Sequence, residues 1–186
     1  MATVGVVAIQ GDFERHAAAF RRFGADVVFV KTPEQLAGAD RIVIPGGEST
    51  TVGKLMERYG LGAAIIEAAK GGTPVWGTCM GMILMAKEVE GGDQYRLGLL
   101  DVTVRRNAFG TQVHSFEDEV EFKGLDGPVT GVFIRAPVAS VCGDGVCVLA
   151  EYGGHVVAVR EGSLFATSFH PELTDDGRLH EWFLGM

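Results

Sequence analysis

The sequence predicts an α/β fold, a doubly wound and mostly parallel β-sheet with helices on both faces and an antiparallel β extension in the second half. In the first half, short apolar runs rich in β-branched residues alternate with stretches whose apolar residues recur at helical spacing. The apolar runs are continuous, as is typical of strands that are covered on both faces. After about residue 94, short β segments replace this alternation.

Four strand–helix units follow one another in the first half. The predicted strands cover residues 3–9, 26–30, 41–47 and 73–77, and the predicted helices cover residues 12–24, 32–39, 51–70 and 80–89. Asp12 and Gly24 mark the ends of the first helix, and Pro33 suits the first turn of the second. Repeated strand–helix–strand units predict parallel strands. Ligands of such sheets bind beyond the carboxyl ends of the strands.

The second half predicts further strands and a terminal helix. The β segments cover residues 98–106, 119–122, 129–137, 146–152, 155–162 and 164–170, and the helix covers residues 175–185. No repeat, low-complexity tract or linker indicates a second domain, so we expect one domain over residues 1–186.

Composition excludes several classes of function. The formal net charge of −8, without a basic cluster, argues against a nucleic-acid partner. The N-terminus lacks the basic start and cleavage site of a signal peptide, and the apolar stretch 74–86 is too short to span a bilayer. Three cysteines at irregular spacing fit a reducing compartment. We therefore expect a cytoplasmic protein without membrane contacts.

Cys79 is the first candidate for chemistry. It lies in "VWGTCMGMIL" (75–84), where the fourth strand passes into a helix, with Gly77 and Gly81 on either side. Small residues at this spacing suit a nucleophile elbow, which exposes the sulfur and directs the N–H of Met80 to the place where an oxyanion forms. A helix N-terminus also favours the thiolate. The alternative is a small apolar side chain in the core.

His170 and Glu172 are the candidate base and its orienting carboxylate. They are two residues apart, and Pro171 between them favours an extended His170, which would place both side chains on one face. That arrangement suits a nucleophile–base–carboxylate triad. Alternatively, the histidine ends a strand and the glutamate is a solvated charge. The Gly46–Gly47 turn could supply a second oxyanion N–H, or it could only precede a helix capped by Ser49 or Thr50.

These residues resemble the triad-type (class I) glutamine amidotransferases, and within them the glutaminase subunits of two-component pyridoxal 5′-phosphate synthases. The matching stretches are "AIQGDFERH" (8–16), "PGGEST" (45–50), "GTCMG" (77–81), "RNAFGTQVHSFE" (106–117), "FIRAP" (133–137) and "TSFHPELT" (167–174). The resemblance implies a flavodoxin-like fold and hydrolysis of L-glutamine to L-glutamate and ammonia through a glutamyl thioester.

The resemblance also implies roles for single residues. Cys79 would be the nucleophile, His170 the general base and then acid, and Glu172 the residue that orients it. Gly47 and Met80 would donate the oxyanion N–H groups. The implied glutamine contacts are Gly47, Glu48, Ser49, Arg106, Ile134 and Arg135. An arginine suits the substrate carboxylate, and Glu48 suits its ammonium group.

A partner follows from the same resemblance, because ammonia must reach an acceptor for which this chain has no second domain. The implied partner is a barrel-shaped synthase subunit in a twelve-plus-twelve assembly. We expect the free chain to have little activity until that partner holds the Gly47 turn in place. No cofactor and no metal are expected, since His16, His114, His155 and His180 lack ligand spacing.

Two departures from the family pattern and three alternatives remain open. Met80 stands where alanine is common and Thr111 where a basic residue is common. A cysteine peptidase or chaperone-like hydrolase on the same fold would release peptide fragments instead of ammonia. An inactive amidotransferase-like module would bind without hydrolysis. A redox sensor would use Cys142 and Cys147, although their apolar surroundings favour strand packing.

Overall fold

The computed structural model describes residues 1–109 and 115–186, a part of the chain that contains twelve strands and six α-helices. The strands are β1 (Thr3–Val7), β2 (Asp26–Val30), β3 (Arg41–Ile44), β4 (Val75–Thr78), β5 (Ala86–Val89), β6 (Leu100–Arg105), β7 (Ser115–Val120), β8 (Val129–Ile134), β9 (Val138–Cys142), β10 (Cys147–Tyr152), β11 (His155–Glu161) and β12 (Leu164–Thr167). The helices are α1 (Phe13–Arg22), α2 (Pro33–Leu36), α3 (Ser49–Arg58), α4 (Leu61–Lys70), α5 (Met80–Met85) and α6 (Arg178–Leu184). Thr111 and His114, named above, lie outside the described residues.

One large sheet has the order β2-β1-β3-β4-β12-β11-β9-β6-β5, with β10 paired to β11. The five strands from β2 to β12 are mutually parallel, in the 2-1-3-4-5 arrangement of flavodoxin-like folds. β11 joins β12 antiparallel, and β9 joins β6 antiparallel, so the second half extends the sheet in mixed orientation. β7 and β8 form a separate antiparallel pair. This arrangement confirms the predicted fold class.

The central strands bury both of their faces, because each face is covered by other elements. Ile42 and Ile44 of β3 pack in the core that also contains residues of α2 to α5, whereas Val43 packs in a second core. That second core contains Phe20 of α1, Phe183 of α6 and apolar residues of the β7–β8 pair. The continuous apolar runs of the sequence therefore reflect two cores, one on each side of the sheet.

The structure corrects several predicted boundaries. The helix predicted over 51–70 is two helices, because Gly60 adopts a left-handed conformation (φ 73°) between α3 and α4. The helix predicted over 80–89 ends at Met85, and residues 86–89 form β5, which pairs in parallel with β6. β9 was not predicted as a separate strand, and the last predicted strand ends at Thr167. In the described part of the chain, no helix is long and apolar enough to cross a membrane.

Candidate active site

Cys79 occupies a strained turn between β4 and α5. Its backbone has φ 50° and ψ −103°, a left-handed conformation that side-chain-bearing residues rarely adopt. Its N–H donates to the carbonyl of Thr167 at 2.8 Å, which ties the turn to the neighbouring strand β12. Strain of this kind persists only where the surrounding structure enforces it, and it is concentrated at functional sites.

The two glycines around Cys79 are required by close backbone packing. A Cβ on Gly77 would lie 2.4 Å from the backbone carbon of Gly81, and a Cβ on Gly81 would lie 2.1 Å from the carbonyl oxygen of Ile44. Neither neighbour is a flexible side chain, so neither can move aside cheaply. The G-x-C-x-G spacing thus follows from packing of the elbow against itself and against β3.

His170 and Glu172 meet through a short turn beyond β12. Their side chains are joined at 2.8 Å between His170 Nδ1 and Glu172 Oε1. The sequence predicted that an extended segment would bring them together. Instead, Glu172 lies in a single 3-10 turn, Pro171–Leu173, which starts directly after His170. The N–H of His170 donates to Val132 of β8 at 2.9 Å, so a second sheet also fixes its position.

The three residues are nearly buried, with Cys79 and His170 each 8% exposed and Glu172 4% exposed. Burial alone would lower the pKa of His170, but hydrogen bonds and charge from Cys79 and Glu172 outweigh burial and raise it to about 10. Burial likewise opposes ionisation of Glu172, yet its contacts with His16 and His170 leave its pKa below the ordinary value. Nδ1 of His170 is occupied by its hydrogen bond to Glu172. Nε2 is therefore the ring nitrogen that can exchange a proton with the sulfur of Cys79.

A cavity of about 390 Å³ opens beside this group. It is lined by Gln10, Gly47, Glu48, Ser49, Cys79, Met80, Ile83, Arg106, Asn107, Ile134, Arg135 and His170. Every predicted site residue except Glu172 is in this lining, and Glu172 lies behind His170. Gln10, Ile83 and Asn107 were not predicted. A volume of this order suits a small-molecule ligand.

The glycine turn after β3 packs directly against His170 and Gln10. A Cβ on Gly46 would lie 2.5 Å from Cε1 of His170, so the histidine could not approach a larger residue. Gly47 has φ 153°, and the following N–H, of Glu48, donates to Oε1 of Gln10 at 2.6 Å. Gln10 follows β1, whose carboxyl end meets the same edge of the sheet, and that position is the signal that could have identified it.

Glu48 caps helix α3. Its carboxylate accepts the N–H groups of Thr50 at 2.9 Å and Thr51 at 2.8 Å, so Glu48 is the cap, and not Ser49 or Thr50, which the alternative interpretation had offered. Hydrogen bonds from Thr51 and Thr50 lower the pKa of Glu48 to about 2, and the carboxylate is therefore ionised. The capping glutamate outcompetes a serine because it accepts two N–H groups at a positive helix end.

Gln94 connects two of the predicted substrate contacts. Its Oε1 accepts from Ser49 Oγ at 3.2 Å and from a guanidinium nitrogen of Arg106 at 3.3 Å. Arg135 is exposed and has φ 45°. No pattern in the sequence indicates Gln94, because it lies in an irregular segment before β6.

The remaining candidates lie elsewhere or are buried. The Met80 side chain is buried in the core on the α3–α5 side of the sheet. Cys142 and Cys147 are free thiols outside the cavity lining. Among residues 1–109 and 115–186, no group of three His, Cys, Asp or Glu side chains is placed to hold a metal ion. The expectation that the protein uses no metal stays a prediction.

Fold and site together define a class of protein, an α/β protein with a cysteine elbow and a His–Glu pair at the carboxyl edge of a parallel sheet. The chain belongs to the SNO glutamine amidotransferase family, which matches residues 6–186. It is 52% identical to a "pyridoxal 5′-phosphate synthase subunit PdxT" of Niallia circulans, over 98% of this chain and 96% of that protein. A protein of the same name from Geobacillus kaustophilus is 51% identical, over 98% and 93%.

A solved structure shows the same fold. A crystal structure described as a glutamine amidotransferase superposes with a TM-score of 0.94 at 49% identity, and the match covers 98% of this chain and 97% of that one. The resemblance stated from the sequence is therefore confirmed at the level of the family.

Proposed function

We propose that this chain is the glutaminase subunit of a pyridoxal 5′-phosphate synthase, which hydrolyses L-glutamine to L-glutamate and ammonia for vitamin B6 biosynthesis. Membership of a glutamine amidotransferase family and relatives named as synthase subunits support this proposal. The observation that carries it is the elbow cysteine beside a hydrogen-bonded histidine–glutamate pair at one cavity. The whole of residues 1–186 would act as a single class I domain.

The reaction uses the sulfur, the imidazole and two backbone N–H groups. Cys79 attacks the side-chain amide carbon of glutamine, and His170 holds the thiol proton and delivers it to the departing ammonia. The N–H groups of Gly47 and Met80 stabilise the oxyanion of the tetrahedral intermediate. Water then attacks the γ-glutamyl thioester, gives up a proton to His170, and releases glutamate. Glu172 holds the imidazole in the required tautomer throughout.

Substrate recognition rests on charges at the rim of the cavity. The ionised Glu48 is suited to the substrate ammonium group, and Arg106 and Arg135 are suited to its carboxylate. Ser49 and Ile134, together with the backbone of Gly47, complete the contacts. Arg106 is held by Gln94, which limits the rotamers it adopts before substrate binds.

A separate synthase subunit completes the function. Ammonia is largely protonated in neutral water, and the ammonium ion is not a nucleophile. It therefore has to reach its acceptor shielded from water. A barrel-shaped partner, in a twelve-plus-twelve assembly in the cytoplasm, would receive it. The Gly47 turn is held on one side by Gln10, and docking of the partner would set its N–H towards the oxyanion.

Ammonia release from glutamine tests the proposal, with and without the cognate synthase. The wild type should be active mainly with the synthase, and Cys79→Ala should lose at least about a thousandfold in kcat. Cys147→Ala is the matched control, since its thiol is exposed and outside the cavity, and it should retain wild-type activity. Unchanged ammonia release by Cys79→Ala would contradict the mechanism. Release of peptide fragments without ammonia would favour the peptidase alternative.

A further inference from the structure

A line of buried polar side chains continues from Glu172 away from the cavity. His16 of α1 and Thr78 of β4 are fully buried, and His180 of α6 is 1% exposed. His16 Nε2 lies 3.3 Å from Glu172 Oε2 and 3.3 Å from Thr78 Oγ1, and His16 Nδ1 lies 3.0 Å from His180 Nε2. None of the three lines the cavity, so His16 contacts Glu172 and the elbow from the side away from the cavity, and His180 contacts His16.

Packing alone does not account for two imidazoles at this place. The ring of His180 lies 4.9 Å from that of Phe20 and 5.1 Å from that of Trp76, and His16 lies 5.7 Å from Trp76. An apolar side chain would fill such an aromatic environment without the cost of removing an imidazole from water. A polar interaction therefore has to account for the two histidines. His16 lies beside the carboxylate of Glu172, and His180 is linked to that carboxylate through His16.

The hydrogen-bond pattern assigns the protons. Burial lowers the pKa of His16, and burial lowers the pKa of His180 to about 3, so both rings are neutral near pH 7. His180 Nδ1 has no hydrogen-bond partner among the described residues. A buried acceptor without a partner is tolerated better than a buried donor. The proton of His180 is therefore on Nε2, from which it is donated to Nδ1 of His16.

This assignment leaves the proton of His16 on Nε2, the atom that faces Thr78 Oγ1 and Glu172 Oε2. Oε2 makes no aligned hydrogen bond within the described residues, and the N–H of His16 is the polar group beside it. The other charged groups that act on the two rings are His170, Asp12, Arg22 and Asp176.

The carboxylate needs such support because its last torsion is soft. Rotation about the final bond of a glutamate is broad and roughly two-fold, so the bond from Oε1 to His170 does not by itself fix the group. His16 restrains the other oxygen. Its bond to Thr78, the residue before Cys79, also links the carboxylate to the elbow, so nucleophile and base share one buried support.

We propose that His16, itself held by His180, is a positioning residue of the Cys79–His170–Glu172 triad, which keeps Oε1 of Glu172 directed at His170. This inference rests on the proposed glutaminase function. It concerns the orientation of the base and not the binding of glutamine. A loss of His16 should accordingly change kcat and the pH profile while KM stays nearly constant.

The test compares His16→Leu, which keeps the volume and removes the N–H, with His16→Gln, which keeps a donor near the position of Nε2. Both are assayed with the synthase. His16→Leu should lower kcat about 10- to 100-fold, the loss that follows when an outer-shell partner that orients a metal ligand is removed. In His16→Leu, the alkaline limb of the profile of kcat against pH should move to lower pH. A carboxylate that no longer points at His170 stabilises the imidazolium less and so lowers its pKa. His16→Gln should be roughly tenfold more active than His16→Leu.

His155→Leu is the matched control. This histidine starts β11 against Phe109, outside the line of buried groups, and its loss should leave kcat unchanged. Wild-type kcat and pH profile in His16→Leu would overturn the proposal. Equal losses in His16→Leu and His16→Gln would overturn it too, since they would indicate a packing role only. If His16→Leu does not fold, His180→Phe decides, and a wild-type kcat and pH profile there overturns the proposal.

Nitrogen NMR of histidine-labelled wild-type chain gives an independent measurement. The proposal expects neutral rings with the proton on Nε2 for both His16 and His180, and a charged His16 or a proton on its Nδ1 would contradict it. This readout needs no glutamine. Failure of the glutaminase proposal would show instead in the wild type and Cys79→Ala, as equal ammonia release, and so is distinguishable.

Discussion

Substitution of Gly81 by alanine tests whether the elbow geometry depends on backbone contact with β3. The added Cβ would lie 2.1 Å from the carbonyl oxygen of Ile44 and 3.1 Å from its carbon. Ordinary contacts of carbon atoms lie at about 3.5–4.0 Å. Since both partners are backbone, α5 and β3 must separate by roughly 1 Å, a shift that displaces the turn carrying Cys79.

The expected magnitude combines two opposed effects. Overpacking of this kind costs about 1–3 kcal/mol, whereas alanine in place of glycine in a helix stabilises by up to about 1 kcal/mol. The net loss in the free energy of unfolding should therefore lie between about 0 and 3 kcal/mol, or up to about 12 °C in Tm for a chain of this size. Activity should fall further, by about a hundredfold, since a 1 Å displacement of a catalytic group has that effect.

Thermal unfolding and ammonia release with the synthase measure the two effects of Gly81→Ala. Gly145→Ala is the matched control, because its Cβ would meet Glu161 Oε1 at 3.4 Å, an ordinary contact with a side chain. That control should change stability by no more than about 0.5 kcal/mol and leave kcat unchanged. A Gly81→Ala variant with the Tm and kcat of the wild type would refute the reasoning, since the elbow would then be free to shift.

Two further predictions concern charge. Glu48→Ala should lower the free energy of unfolding by about 1 kcal/mol through loss of the α3 cap, and it should raise KM for glutamine. Denaturant titration and steady-state kinetics measure the two effects, and an unchanged free energy of unfolding would contradict the capping role. Because the pKa of His180 is lowered to about 3, below pH 6.5 the unfolded chain binds a proton that the folded chain does not. Stability should therefore fall by up to about 1.4 kcal/mol per pH unit for this histidine as pH drops from 6.5 towards 3. Urea unfolding at several pH values should show a shallower decline for His180→Phe, and an identical decline would contradict the assignment of a buried neutral ring.

The parallel half of the fold was predictable because its signals are local. Continuous apolar runs and helical spacing lie within single segments, and the elbow at Cys79 is marked by glycines only two residues away. The break between α3 and α4 was not predicted, since one left-handed residue at Gly60 decides it. The identity of β5 was missed for a different reason. Residues 86–89 are too few to show a period, and their pairing with β6 is a tertiary contact.

The buried contacts of His16 and His180 behind Glu172 could not be predicted for a similar reason. His16 and His180 are 164 residues apart, and each sits among residues that look like an ordinary amphipathic helix. Only the packing of α1 against α6 on one face of the sheet brings their rings together. Sequence patterns indicate which face of a helix is buried, but not which polar group of another element that face contacts.

The sheet explains why the candidate residues converge although they come from distant parts of the chain. Gln10, Gly47, Cys79 and His170 each follow one of the parallel strands β1, β3, β4 and β12, which are neighbours in that order. The carboxyl ends of parallel neighbours meet at one edge, so four separate loops contribute to the lining of one cavity. Ile134 and Arg135 arrive from the separate β7–β8 pair, and the bond from His170 to Val132 fixes that pair against the same edge. The carbonyl of Ile134 also accepts from Cys79 Sγ at 3.8 Å, so movement of the β7–β8 pair would shift the predicted substrate contacts together with the candidate base and nucleophile.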